Sequence, residues 1–258
     1  MGLYTFLQRR YWPIASFIKG DPPAVQAEIS ESLLKACLGK KNPIILEIGA
    51  NIGQTSRRFL DVFPECQLYC FEPDPRAARQ FSENVGEHAN LHFFNIALSD
   101  RTGTAEFFQS SGGENQGETA APGDWNQSGS LKKPTGHLEL HPWVGFERTL
   151  EVETETLDNW AKKFGIDAVD FIWMDVQGAE FEVFRGGART LSRTRCLYTE
   201  YSNRELYAGQ GNLSDIRREL RAFQVLVRYP GDVLLWNANL AKIPWMAYWR
   251  AWLTYLRF

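Results

Sequence analysis

Residues Pro43-Ile44-Ile45-Leu46-Glu47-Ile48-Gly49-Ala50-Asn51-Ile52-Gly53-Gln54-Thr55 decide the fold. After Pro43 comes a short apolar, β-branched run, the composition of a parallel strand buried on both faces. Two glycines close the run, and Thr55 to Val62 has helical character. Glycine adopts backbone angles that other residues avoid and leaves no Cβ in the way of a ligand. The first turn of a helix carries N–H groups without intrahelical partners. Strand, glycine turn and helix start make a cradle of the nucleotide-cofactor type, with Gly49, Ala50, Asn51, Gly53, Gln54 and Thr55 as its expected contacts.

The glycine spacing selects among cofactors. A dinucleotide cradle needs G-x-G-x-x-G to bring a helix N-terminus onto a pyrophosphate. This chain has G-x-x-x-G, and Glu47 stands two residues ahead of the first glycine. A carboxylate there repels a pyrophosphate and suits a cation. S-adenosylmethionine carries an ammonium and a sulfonium but no phosphate, so it is the expected cofactor. The next apolar strand, Gln67-Leu68-Tyr69-Cys70-Phe71, ends at Glu72-Pro73, where an acidic side chain can hold ribose hydroxyls. A nicotinamide-dependent oxidoreductase is the disfavoured alternative.

With 258 residues, 44% of them hydrophobic, the chain can bury a full core as one domain with appendages. The net charge of −3 and the lack of a basic block argue against nucleic acid as a partner. Cys66 and Cys70 lack a second Cys or His pair to complete a metal site. Buried free thiols in a reducing cytosol are the expectation for all four cysteines. No apolar stretch is long enough to span a bilayer, and Pro13 and Lys19 interrupt the segment after Arg9 and Arg10. A soluble, cytoplasmic protein is expected.

Four blocks in this order resemble the FkbM-type methyltransferases: Glu47-Ile48-Gly49-Ala50-Asn51-Ile52-Gly53-Gln54, Phe71-Glu72-Pro73, Asn95-Ile96-Ala97-Leu98-Ser99 and Asp175-Val176-Gln177-Gly178-Ala179-Glu180-Phe181. The resemblance runs from Asn42 to Asn237. It implies a class I S-adenosylmethionine-dependent methyltransferase of α/β, Rossmann-like fold acting on a hydroxyl of a sugar, glycan or related small metabolite. The sheet it implies is seven-stranded and mostly parallel, with a terminal antiparallel hairpin. Ser128-Gly129-Ser130-Leu131 resembles a Ser-Ser-Leu-like element of the family and makes Ser130 a candidate cofactor contact. Family members commonly carry a lysine two residues before the aspartate of the last block. This chain has Trp173 there, so no role of that lysine carries over.

Along the chain, residues 1–41 form an N-terminal appendage, with a helix expected over Ala24 to Leu38 and a stop at Gly39. The α/β unit occupies 42–240. Its strands are expected at Ile44 to Ile48, Gln67 to Phe71, Leu91 to Ile96, Val169 to Met174 and Cys196 to Thr199. Asn95, Ala97 and Leu98, at the end of the third, lie where an adenine would rest. An extra strand over Ala105 to Gln109 precedes a Gly-, Ser- and Asn-rich stretch too long for an ordinary connection. Residues 110–148 are therefore expected to form a lid and acceptor loop, with Trp125 and Trp143 available to stack on a sugar. Thr149 to Glu155 alternates as a half-exposed strand, Leu157 to Phe164 follows as a helix, and Gly186-Gly187 should break the helix Ala179 to Leu191. Asn212 or Ser214 can cap a helix running to Phe223. Pro230-Gly231-Asp232 joins two terminal strands as a hairpin. The aromatic tail, 241–258, is expected to pack or self-associate as a homodimer contact, with a peripheral membrane contact as the alternative.

In parallel α/β sheets ligands bind beyond the C-terminal strand ends. Those ends carry Glu47, Glu72, Asn95, Asp175 and Glu200. An alcohol acceptor must lose a proton, to a carboxylate or histidine or with help from a divalent metal such as Mg2+. Asp175 and Glu200 are the leading base or metal candidates. His141, held beside Pro142 and Trp143, is an alternative base, as is His137. No spacing proves a metal site. A catalytically silent cofactor-binding scaffold is the reading from a different class.

Overall fold

A computed structural model describes residues 24–112 and 125–256, apart from Ala27 and Ala241. The strands, in chain order, are β1 (Ile44–Ile48), β2 (Gln67–Phe71), β3 (Leu91–Phe94), β4 (Ala97–Ser99), β5 (Gly103–Gly112), β6 (Val144–Thr156), β7 (Val169–Met174), β8 (Thr194–Glu200), β9 (Phe223–Arg228) and β10 (Asp232–Asn237). Seven of them form one sheet of order β3-β2-β1-β7-β8-β10-β9. β1 pairs in parallel with β2 and β7, and β7 with β8. β10 alone runs against its neighbours, antiparallel to both β8 and β9. The central strands are buried on both faces, and Ile45, Leu46 and Ile48 are at most 1% exposed. This is the mostly parallel, hairpin-terminated α/β sheet that the sequence implied.

The helices are α1 (Glu31–Leu38), α2 (Gln54–Val62), α3 (Pro75–Val85), α4 (His137–Leu140), α5 (Leu157–Lys163), α6 (Glu180–Gly186), α7 (Ala188–Ser192), α8 (Leu213–Glu219) and α9 (Trp245–Leu256). Local chemistry sets several of their starts. Asp74 caps α3 and Pro75 opens it, where the missing proline N–H costs nothing. Asn212 and Asp215 form a reciprocal capping box at α8. One core joins Leu33 and Leu34 of α1 and Phe59 of α2 to Phe171 and Trp236 on the sheet. The other face buries Trp160 and Phe184 against Leu46, Ile172 and Leu197. Each such aliphatic or aromatic side chain contributes about 1.5–3 kcal/mol.

Several boundaries differ from the expectation, each for a local reason. The N-terminal helix begins at Glu31, not Ala24, because the Ser30 side chain caps it by accepting from Leu33 N. Val25 and Ile29 are buried from non-helical chain, and Val25 N donates to Arg228 O at 2.8 Å. The third strand ends at Phe94. Ala97 to Ser99 leaves the main sheet and pairs in parallel with β6, which pairs antiparallel with β5 in a separate three-stranded sheet. β5 continues to Gly112, so Ser110 to Gly112 are strand, and β6 starts at Val144 rather than Thr149. α8 stops at Glu219, short of Phe223. The break at Gly186-Gly187 falls where expected, because a Cβ on Gly186 would lie 2.0 Å from the Ser99 carbonyl oxygen.

All four cysteines are free and buried. α9 seats Ala247 and Ala251 in the first core while Trp245, Met246 and Trp249 face outward. Among the described residues no helix is long and apolar enough to cross a membrane.

Candidate active site

A cavity of about 620 Å³ opens beyond the C-terminal ends of β1, β2, β7 and β8. Glu47, Gly49, Ala50, Asn51, Gln54, Thr55, Glu72, Pro73, Ala97, Leu98, Ser130, His141, Asp175 and Glu200 all line it. Gly53 and Asn95 lie outside that wall. A Cβ on Gly53 would meet Val85 Cγ2 at 2.2 Å, so this glycine seats the turn against α3. Asn95 Nδ2 donates to the carbonyls of Glu72 at 2.6 Å and Pro73 at 3.2 Å and holds the end of β2. Gly49 also serves chain packing rather than ligand approach. Its φ is +87°, and a Cβ there would lie 1.8 Å from the Asp175 carbonyl oxygen.

Asn51, at φ +46°, donates its N–H to Glu72 Oε2 at 2.9 Å. Its Nδ2 reaches Asn126 O at 2.9 Å and so ties the turn to the segment above it. The buried Asn51 Oδ1 has no partner. Glu72 Oε1 accepts from Asp74 N at 2.8 Å. Glu47 Oε2 accepts from the Ser56 hydroxyl. Burial pushes the Glu47 carboxyl up to about 8 and Glu72 up to about 7, against the opposing pull of their hydrogen bonds. Lone pairs left on Glu72 and an orphaned acceptor on Asn51 fit S-adenosylmethionine. Among the described residues no Lys or Arg lines the cavity, which suits a cation and not a pyrophosphate.

At the other side Asp175 and Glu200 belong to neighbouring strand ends and are joined through Gln177. Gln177 Nε2 donates to Asp175 Oδ1 at 2.7 Å and to Glu200 Oε2 at 3.0 Å. Tyr207 sets its hydroxyl 3.0 Å from Gln177 Oε1 and 2.9 Å from Ser128 O. The backbone of Gln177 is left-handed, at φ +53°, a conformation that costs on the order of 1–3 kcal/mol and is held only where its surroundings over-determine it. Burial raises both carboxyls, and Glu200 also lies beside the negative charge of Asp175 and hydrogen-bonds to it. Two carboxyls this close do not both ionise readily, so the pair tends to hold a proton between them. The cap position of the following helix is Ala179, and Glu200 accepts from Gln177.

Ser130 Oγ donates to Gln177 O at 2.7 Å and anchors the upper segment to the loop after β7. Trp125 and Trp143 both line the cavity, ring centroids 4.7 Å apart at 82°. Trp173, in the lysine position, stacks on Tyr198 at 4.1 Å. Asn126 and Tyr207 escaped the sequence reading. No motif marks them, because each meets the site through a loop contact between residues distant in sequence.

A family profile described as the methyltransferase FkbM domain matches residues 47–225. The chain belongs to the FkbM methyltransferase family. Among its relatives, 2-O-methyltransferase NoeI of Sinorhizobium fredii (strain NBRC 101917 / NGR234) is 42% identical over 243 residues, 93% of this chain and 96% of its own. Methyltransferase sdnD of Sordaria araneosa is 26% identical over 160 residues, 56% of this chain and 60% of its own. Among solved structures, N-methyltransferase NodS from Bradyrhizobium japonicum WM9 superposes with a TM-score of 0.42 at 11% identity, covering 80% of this chain and 92% of that one.

Proposed function

We propose that this FkbM methyltransferase moves a methyl group from S-adenosylmethionine to a hydroxyl of a sugar, glycan or related small metabolite, with a sugar 2-hydroxyl as the first position to test. The observation that carries the reading is 42% identity to a 2-O-methyltransferase across nearly the whole chain. The acidic cavity and its carboxyl pair support it. When bound, S-adenosylmethionine supplies an electrophilic methyl group on a sulfonium. Glu72, braced by two backbone N–H groups, would hold the ribose hydroxyls, and Glu47 would face the positive end of the cofactor. Asn51, Gln54, Thr55, Ala97 and Leu98 would complete its seat. Asp175 takes the acceptor proton, and Glu200 and Gln177 fix its orientation, so that alignment and proton removal coincide. His141, exposed at the cavity rim, is the second candidate for that proton.

Proton transfer to Asp175 requires no metal step. Among the described residues no three His, Cys, Asp or Glu side chains converge in an arrangement that could hold an ion. Chelation with EDTA should leave turnover unchanged, and loss of activity restored by Mg2+ would assign the pair to a metal.

We take 42–240 as the methyltransferase unit, 1–41 as an appendage, 110–148 as the lid and acceptor loop, and 241–258 as a tail. Residues 1–23, 27, 113–124, 241 and 257–258 of these segments lie outside the described residues. The outward face of α9 is assigned to a homodimer contact, which static light scattering of the full chain would register. Cytoplasmic residence is the compartment that suits four free thiols. The test of the function is incubation with S-adenosylmethionine and a panel of methyl glycosides. Mass spectrometry should show a singly methylated glycoside, absent with Asp175→Asn. Cofactor binding with no methylated product from any acceptor would favour the silent scaffold.

A further inference from the structure

His137 lies in the wall of the cavity, and neither the proposed cofactor seat nor the carboxyl pair uses it. The residue is 4% exposed, yet its side chain makes no hydrogen bond, and its buried Nδ1 has no partner. The ring is clamped by Phe146 at 5.4 Å, Tyr207 at 5.4 Å and His141 at 4.9 Å. The backbone is pinned as well, with His137 N donating to Leu206 O at 3.2 Å. Nε2 is therefore the nitrogen left with access to the cavity.

A neutral imidazole carries one N–H. On Nδ1 that proton would be a buried donor without an acceptor, a cost of about 1–3 kcal/mol. An unpartnered acceptor is better tolerated than an unpartnered N–H. The geometry places the proton on Nε2. The titratable groups packed against the ring are the His141 imidazole, from the turn that ends the same helix, and the Tyr207 ring, from the loop after β8. Neither offers a negative charge, and burial with His141 alongside holds the ring down to about 4. The imidazole stays neutral at physiological pH and has no free lone pair in reach of an acceptor proton.

The neighbouring wall has matching chemistry. Trp125 and Trp143 meet at nearly right angles, and Trp125 Nε1 is fixed on Ser128 Oγ at 3.0 Å. Aromatic faces with neutral donors and, among the described residues, no Lys or Arg suit an uncharged polyhydroxylated ring and not a phosphate or carboxylate.

We propose that His137 is the fixed hydrogen-bond donor of the acceptor subsite, presenting Nε2–H to an oxygen of an uncharged saccharide seated against Trp125 and Trp143. This assignment rests on the methyltransferase reading of the same cavity, and it makes His137 a positioning residue and not a base.

Two measurements test it. Nitrogen-15 NMR of the histidine-labelled full chain, with His137 identified by its loss in His137→Gln, should show a neutral Nε2–H tautomer from about pH 5.5 to about pH 8. A cationic ring at pH 6 or an Nδ1–H tautomer overturns the proposal. This readout needs no substrate, so it stands even if no glycoside is methylated and the functional reading fails. On the methyl glycoside that the wild type turns over best, His137→Phe should raise KM about tenfold, the value of one lost hydrogen bond. Its kcat and pH profile should be unchanged, and His137→Gln, which restores a donor, should recover most of the loss. A fall in kcat with KM unchanged and no rescue by Gln would make His137 the base and overturn the assignment.

Discussion

Asp175 and Glu200 share one proton between two carboxyls, and Gln177 donates to both. In the proposed mechanism Asp175 is the base. Asp175→Asn should lower kcat by about 10²–10⁴-fold, the range for loss of a positioned base, while affinity for S-adenosylhomocysteine in calorimetry stays within a few fold. Glu72→Ala should do the reverse and weaken S-adenosylhomocysteine by about 10–100-fold, the range for charge-assisted hydrogen bonds. The carboxylates were legible in the sequence because each closes an apolar strand, where the parallel sheet delivers its ligands. Asn95 shared that placement and still turned inward to the carbonyls of Glu72 and Pro73. Strand position tells where a residue sits, not which way its amide turns. The bridging by Gln177 was hidden for the same reason, since it joins nearby Asp175 to Glu200 of β8 and to Tyr207, both remote in sequence.

At the scale of the element, Gly49 governs how β1 and β7 meet. Gly49→Ala would place a methyl group on the Asp175 carbonyl and demand a left-handed alanine at φ +87°. Denaturant titration should show a loss on the order of 3 kcal/mol, accompanied by loss of S-adenosylhomocysteine binding. The main strands were readable because β-branched runs buried on both faces have few other interpretations. The three-stranded sheet was not. Its β4 is only three residues long, too short for any periodicity, and its partner β6 comes after the long segment that follows β5. Likewise Val25 and Ile29 fit a helical spacing, but the Ser30 cap and the bond from Val25 to Arg228 decide against it. Tertiary contacts outweighed local pattern there.

Across the whole molecule the acid is concentrated, buried, around the site. Glu47, Glu72 and Glu180 are all raised by burial, to about 8, 7 and 7. Between their unfolded value near 4.5 and these values the folded state holds protons that the unfolded chain has released. Stability of the ligand-free protein should therefore fall as pH rises through that window. Thermal melts from about pH 5 to about pH 8 should show a declining Tm. A bound cation reverses the preference by stabilising the ionised carboxylates, so binding should expel protons and tighten as pH rises. The central claim, that this acidic cavity is the seat of a cationic methyl donor, meets its most direct test in calorimetric titration with S-adenosylmethionine, S-adenosylhomocysteine and NAD, in buffers of different ionisation enthalpy near neutral pH. The expected result is affinity on the order of micromolar for the two adenosyl ligands, with more protons released by the sulfonium form and no binding of NAD. Binding of NAD alone, or of S-adenosylmethionine with proton uptake, would contradict it.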